Sequence, residues 1–401
     1  MVETCGFYFE CGAGQVRFRE EALVRVRFVC VVTILLGLVA WPRVSAAQIT
    51  AGAGTVAGDD TQPASARVGA VIFWDYSFQQ SPKATDAAGN SISTNAFNVA
   101  RAYLNVTGNI SHVVSYRITP DINSTRFTLA GNNMDGSLVF RLKYAYAQFA
   151  LTDWTGSWTG SYVRAGIQQT PFIDYQEAFY RYRFQGTVFA ERAGGLSSAD
   201  AGLSFHANLP NTYGDFHVGV YNGENYNKGE VNDQKALMVR GTLRPMPTGS
   251  AIARGIRLTG FHVADHVVKG ADRTRSYFNF ALEQRWYNLS VDVLVKKVDQ
   301  ALPTSAKTEQ DGYSVFLTPF FKEKGNGWEM LFRYDSLRPD KVGASDRRQN
   351  RTIAGLAYWF PHAGGAGTAA ILFDFDQLKT KNPATPTPKT TVIAVHGLIN
   401  F

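Results

Sequence analysis

Apolar residues recur at every second position in about sixteen separate stretches of this chain, and that period decides most of what it can fold into. In VGAVIFWDYSFQ the set Val68, Ala70, Ile72, Trp74, Tyr76 and Phe78 falls on one face, with Gly69, Asp75, Ser77 and Gln79 on the other. SLVFRLKYAYAQ groups Leu138, Phe140, Leu142, Tyr144 and Tyr146 and places Arg141 and Lys143 opposite. KALMVRGTLR, NLSVDVLVK, GWEMLFRYD and GTAAILFDFD repeat the pattern. Side chains of a β-strand alternate between faces, so each stretch reads as a strand with one apolar face. The strands begin near residues 66, 95, 110, 137, 159, 199, 212, 233, 253, 274, 288, 311, 326, 349, 367 and 388. No helical stretch is expected among them.

Sixteen one-faced strands in one chain without a domain linker do not share a single sandwich core, and two soluble domains would be needed to bury them. A closed barrel facing lipid has no such limit. The connections alternate in length, SPKATDAAGNSIST against GNIS, then NSTRFTLAGNNMDG against TDWTGSW, as long loops on one side and short turns on the other require. Aromatic residues gather at strand ends (Trp74–Tyr76, Tyr144–Tyr146, Trp286–Tyr287, Tyr358–Trp359–Phe360), where interfacial girdles belong. The expected fold is all-β, a transmembrane antiparallel β-barrel of about sixteen strands.

The one long apolar run, FVCVVTILLGLVAW, is shorter than a membrane span. Arg17, Arg19, Arg25 and Arg27 precede it and Ser45-Ala46-Ala47 comes after it, which describes a signal peptide over residues 1–47 cleaved after Ala47. Residues 48–65 read as a flexible N-terminal segment, and residues 66–401 as the barrel. All three cysteines (Cys5, Cys11, Cys30) lie in the leader, so the mature chain has no thiol chemistry. Five arginines and four glutamates leave with it, which turns the net charge of +7 into +6. No block of Lys/Arg marks a nucleic-acid tail, and no nucleic-acid partner is expected.

A sixteen-stranded barrel is wide enough for an aqueous channel, so its inner face carries any chemistry. Strand parity assigns Arg101, Arg117, Arg141, Lys143, Arg164, Arg240, Arg244, Arg257, Lys296 and Arg333 to that face, with Asp292, Asp374 and Asp376 opposing them. Each cation taken singly reads as structural, paired to a carboxylate such as Glu329 or Asp335. Their collective excess would concentrate anions. The longest connection, 171–198, comes after the fifth strand. Folded inward, it narrows the pore and brings Arg181, Arg183 and Arg192 to the constriction, opposed by Asp174, Glu177 and Glu191. Its aromatics (Phe172, Tyr175, Phe179, Tyr180, Tyr182, Phe184) either pack it to the wall or form a stacking track for sugars, and packing is the expected role. His262 and His266 in HVADH lie too far apart on a strand to share an ion, so no metal or other cofactor is expected. No GxSxG, HExxH or P-loop pattern is present, and an enzyme is not expected. A sugar-conducting porin and a closed barrel acting as an adhesin or envelope protein are the competing functions, with a membrane-embedded hydrolase a third.

With these segments placed, the chain resembles the phosphate-selective porin O and P family of Gram-negative outer membranes. The residues that carry the resemblance are NVARAYLNVTGNI, VRAGIQQTPF (Gly166, Pro171, Phe172) with Glu177 and Glu191-Arg192 after it, and ADAGLSF ahead of YGDFHVGVYNGEN (Asn222-Gly223). RGTLRPMP, GYSVFL, EMLFRYDSLRPD and TIAGLAYWFP continue in family order. The resemblance implies a sixteen-stranded barrel, commonly a homotrimer, with the third loop in the pore and passive diffusion favouring anions such as phosphate. The closing stretch VIAVHGLINF puts Ile393, Val395, Gly397, Ile399 and Phe401 on one face, as a last strand that must pair with the first because lipid tolerates no free edge. A terminal Phe401 resembles the signal read by the outer-membrane barrel assembly machinery. Outer-membrane lipids are the expected surroundings.

Overall fold

The computed structural model describes residues 64–123, 138, 140–156, 158–341, 347–361, 368–381 and 389–401. The proposed leader, its Ala47 cleavage site and residues 48–63 lie outside the described residues.

Among the described residues, sixteen long strands form one antiparallel meander that closes on itself. β1 (Arg67–Ser81), β2 (Asn95–Asn109), β3 (Val114–Asn123) and β4 (Phe140–Ala150) come first. β5 (Tyr162–Gln169), β6 (Ala199–Asn208), β7 (Gly214–Tyr221) and β8 (Ala236–Leu243) continue the order. Next are β9 (Ile256–Ala264), β10 (Ala271–Glu283), β11 (Tyr287–Asp299) and β12 (Thr308–Pro319). β13 (Gly327–Arg338), β14 (Arg348–Trp359), β15 (Thr368–Lys381) and β16 (Thr390–Asn400) complete the wall. Each begins within a few residues of the position the alternation marks.

β16 pairs with β1 from Val71↔Asn400 to Ser81↔Thr391, which leaves no edge, and Phe401 adds a reciprocal backbone pair with Ala70 (2.9 and 3.0 Å). Trp74 lies flat over Gly397, where a Cβ would stand 2.0 Å from the indole. No helix among the described residues is long and apolar enough to cross a membrane.

The two faces divide as alternation requires over most of the wall. Leu104, Ile118, Leu203, Val220, Leu237, Val239, Phe278, Phe332, Leu356 and Phe373 are exposed on the outside, while Arg164, Arg240, Arg257, Asn279, Asp292, Asp335, Asp374 and Asp376 are buried within.

Bulges in β2, β4 and β11 invert this division locally. An extra residue, Ala100, interrupts β2 opposite Phe73 and Trp74. In β4, Thr119 faces Tyr144 while Pro120 faces Leu142, so Lys143 is the extra residue. One extra residue reverses the faces beyond it. Tyr144 and Tyr146, expected outside with Leu142, therefore point inward under Arg117 and Arg164. In β11 an extra Val295 turns Lys296 outward to pair with Glu309 (3.0 Å), and the buried cation is Lys297, paired with Asp299 (3.3 Å). Trp359, expected in a girdle, is buried inside against the third loop.

The expected absence of helix is also corrected. The third loop (L3, residues 171–198) contains α1 (Pro171–Phe179) and the single turn α2 (Phe189–Arg192). Both are too short to show a helical period against the surrounding alternation, and Pro171 supplies the start, where its missing N–H costs nothing.

Candidate functional site: an inward loop facing a basic wall

L3 leaves β5 through the motif that carries part of the family resemblance. Gly166 has φ +119, and a Cβ there would lie 2.3 Å from the Ala145 carbonyl, so glycine is required. Pro171 opens α1, and Phe172 is fully buried, stacked 4.9 Å from Phe261 with the tilted ring of Tyr277 at 5.0 Å. Phe179 and Tyr180 pack on Phe316, Tyr182 and Phe184 on Trp359, and Phe184 on Phe73. These rings are buried, so they hold the loop to the wall and present no face on which a sugar could stack.

Polar contacts fix the loop along the same side of the barrel. Tyr175 Oη donates to Asn279 (2.9 Å) and Gln176 Nε2 to Asp292 (2.6 Å). Gln185 Nε2 donates to Asp374 (2.9 Å), and Arg333, held by Asp335, donates to the Thr187 carbonyl (2.8 Å). Arg275 Nε donates to the Gly194 carbonyl (3.1 Å). Arg181 Nη2 reaches both oxygens of Glu329 (2.7 and 2.6 Å), and Tyr182 Oη donates to the same carboxylate (2.7 Å). Glu329 has no solvent exposure. Arg181 is thus an anchor of the loop, not a group at the constriction.

The opposite wall, β2 to β5, holds the cations. Arg101 (2.8 Å) and Arg141 (3.1 Å) share the buried carboxylate of Asp121. Arg117 donates to Asn105 (2.8 Å) and Thr119 (3.0 Å) and lies 4.5 Å from the Tyr144 ring. Lys143 sits 4.7 Å from the Tyr103 ring. Arg164 donates to Gln148 (2.7 Å) and Gln169 (3.0 Å) between the rings of Tyr146 and Tyr162. Hydrogen bonds from Arg117 and Arg164 therefore go to neutral groups, and aromatic faces hold the charges in place.

The loop turns its own ions toward this wall. Arg183 Nε pairs with Glu177 (2.7 Å) and Arg183 Nη2 with Glu191 (3.3 Å), and all three lie within electrostatic range of Lys143 and Arg101. Burial raises the Glu177 carboxyl, but the closer contact to Arg183 outweighs it and holds Glu177 below its ordinary value. Burial pushes Glu191 above its ordinary value, because its hold on Arg183 is longer and Glu177 repels it. Glu191 is therefore expected to take up a proton as pH falls, while Glu177 remains charged, and the constriction becomes more positive. Anion preference, read as reversal potential at pH 7 and pH 5, should rise on acidification. The rise should vanish in Glu191→Gln, and its persistence there would assign the effect to another group.

The remaining cations are placed elsewhere. Arg240 pairs with Asp215, and Arg257 with Glu283 (3.1 Å), toward the rim at which β1 begins and β16 ends. Arg244 lies beyond β8, in the turn, and donates to the Arg254 carbonyl (3.2 Å). Arg192 is beside Gln185 (3.4 Å), and burial with Arg333 and Arg351 nearby lowers its guanidinium to about 9. His262 hydrogen-bonds Ser276 on the outer face, and His266 lies beside Asp272.

Asp121 and the lumenal tyrosines escaped sequence reasoning. Pro120 was the available signal, since a proline inside a strand marks an edge or a bulge.

A closed sixteen-stranded barrel with a loop folded inside defines the architecture of outer-membrane porins. OmpT of Vibrio cholerae in its trimer form is similar at TM-score 0.55 and 13% identity, over 84% of this chain and 100% of that one. The anion-selective porin from Comamonas acidovorans gives TM-score 0.55 and 13% identity over 84% and 99%. The outer membrane channel DcaP of Acinetobacter baumannii gives 0.53 and 10% over 86% and 99%. The family model described as phosphate-selective porin O and P matches residues 69–249, which supports the resemblance from β1 through β8. No curated protein matches the sequence.

Proposed function

We propose that the chain is an outer-membrane diffusion channel that favours small anions, phosphate among them, and catalyses no reaction. The observation that carries this reading is the asymmetry of the constriction. Arg101, Arg117, Arg141, Lys143 and Arg164 line one wall with, among the described residues, a single carboxylate, Asp121, as a direct partner, and L3 opposes them with Arg183 between Glu177 and Glu191. A lumen biased this way focuses anions by its field, and its guanidinium groups give a passing oxyanion weak, exchangeable donors at several points.

The long connections would face outward and both termini the periplasm. The family resemblance and the trimeric form of OmpT support a homotrimer. The strand-paired Phe401 fits recognition by the assembly machinery. Phosphate titration into a chloride solution bathing the reconstituted channel tests the solute: the chloride current should fall in a saturable manner. A linear, unsaturated response would remove phosphate as a bound solute and leave a general anion pore. Under this reading the alanine variants of the loop arginines separate, with Arg183→Ala changing selectivity and Arg181→Ala changing the loop's attachment.

A further inference from the structure

We propose that Tyr226, from the fourth long loop (L4, residues 222–235), is a second constriction element that sets the size limit for anions passing over the Arg101–Asp121–Arg141 cluster; this rests on the channel reading. The base of L4 is pinned at the rim. Asn222 N donates to the Ala201 carbonyl (2.9 Å), Gly223 N to Asp200 Oδ2 (2.8 Å) and Tyr226 N to the Ala199 carbonyl (3.2 Å). Arg273, held by Asp265, donates to the Gly223 carbonyl (2.9 Å) and pairs with Glu224 (3.3 Å). Asn225 takes a left-handed conformation (φ 72), which turns the chain inward for the next residue.

Tyr226 is thereby carried over the basic wall. Its ring lies 4.8 Å from the Arg141 guanidinium, and its hydroxyl is 3.5 Å from Asp121 Oδ2, the oxygen that also receives Arg101 and Arg141. Arg101 lies within electrostatic range of both Tyr226 and Arg183, so L4 and L3 bracket the same cations from two sides. A phenol is bulky and neutral at working pH. It narrows the path and steadies Arg141 without altering the sign of the charge, which separates its role from that of Arg183.

The full-length channel in planar bilayers, with chloride, acetate and benzoate as probe anions, decides the matter. Tyr226→Ala should raise chloride conductance about twofold and increase the benzoate-to-chloride permeability ratio, while the reversal potential keeps its sign. Tyr226→Phe should match the parent, and Arg273→Ala, which frees the base of L4, should move in the direction of Tyr226→Ala. Parental conductance and size limit in Tyr226→Ala overturn the inference, as does a change of sign. If Tyr226→Ala does not fold, Tyr226→Trp decides: the larger ring should lower conductance, and unchanged conductance overturns the inference. A parent protein that does not conduct overturns the channel reading itself, whereas a conducting parent with an unaltered Tyr226→Ala overturns this role alone.

Discussion

Replacing Arg181 by alanine is expected to release L3 from the barrel wall. Glu329 is wholly buried, and its oxygens receive two contacts from Arg181, one from Tyr182 and one from the Gly325 amide (2.6 Å). Arg181 also lies 4.2 Å from the Trp359 ring, so its removal opens space beside the ring as well as the ion pair. Deleting one partner of a buried pair leaves an uncompensated charge and costs roughly 3–5 kcal/mol. The barrel itself, held by sixteen strand pairings, should survive, and the cost falls on the loop. Protease cleavage within residues 171–198 of the folded protein should increase sharply. Arg181→Met combined with Glu329→Gln should restore much of the resistance, because no buried charge then remains unpaired. Parental resistance in Arg181→Ala would show that the aromatic packing alone fixes the loop.

Arg183→Ala is expected to weaken anion preference sharply. Its guanidinium is the bridge between Glu177 and Glu191, at 2.7 and 3.3 Å. Without it two carboxylates face the lumen directly, and the wall cations Lys143 and Arg101 are drawn into compensating them. Part of the free cationic excess is then consumed locally, which lowers the positive field where the passage is narrowest. In a tenfold salt gradient an ideally selective monovalent channel gives about 59 mV, and the variant should move from the anion side toward zero. An unaltered potential would place the selectivity outside the L3 constriction. Arg244→Ala, in the turn beyond β8, is the matched control and should leave the potential unchanged.

How much of the molecule was legible in the sequence depends on the range of the interaction. Alternation is a local property, and it located each of the sixteen wall strands, including β16 with its outward Ile393, Val395, Gly397 and Ile399. Bulges are single-residue events, and each inverts the faces of the strand beyond it, so Tyr144 and Tyr146, beyond the extra Lys143, turn inward against their parity. The same slip exchanged Lys296 for Lys297. Glu329 was visible as a carboxylate in need of a cation, yet its partner Arg181 lies 148 residues away, and nothing local links them. Tyr226 is hidden for the same reason. It lies in the polar stretch ENYNKGE and acquires meaning only when the rim brings it above Arg141. The scaffold motifs gained a physical reason: Gly166 for close approach to β4, Phe172 for docking α1, and Gly223 for its positive φ of +91 and close approach to Asp265.

The reversal potential of the purified parent protein in a steep potassium chloride gradient tests the central claim most directly. Discrete channels are expected, with a potential that lies on the anion side of zero and shifts further that way between pH 7 and pH 5. A cation-side potential indifferent to phosphate would contradict the anion reading, and a folded protein that never conducts would contradict the channel.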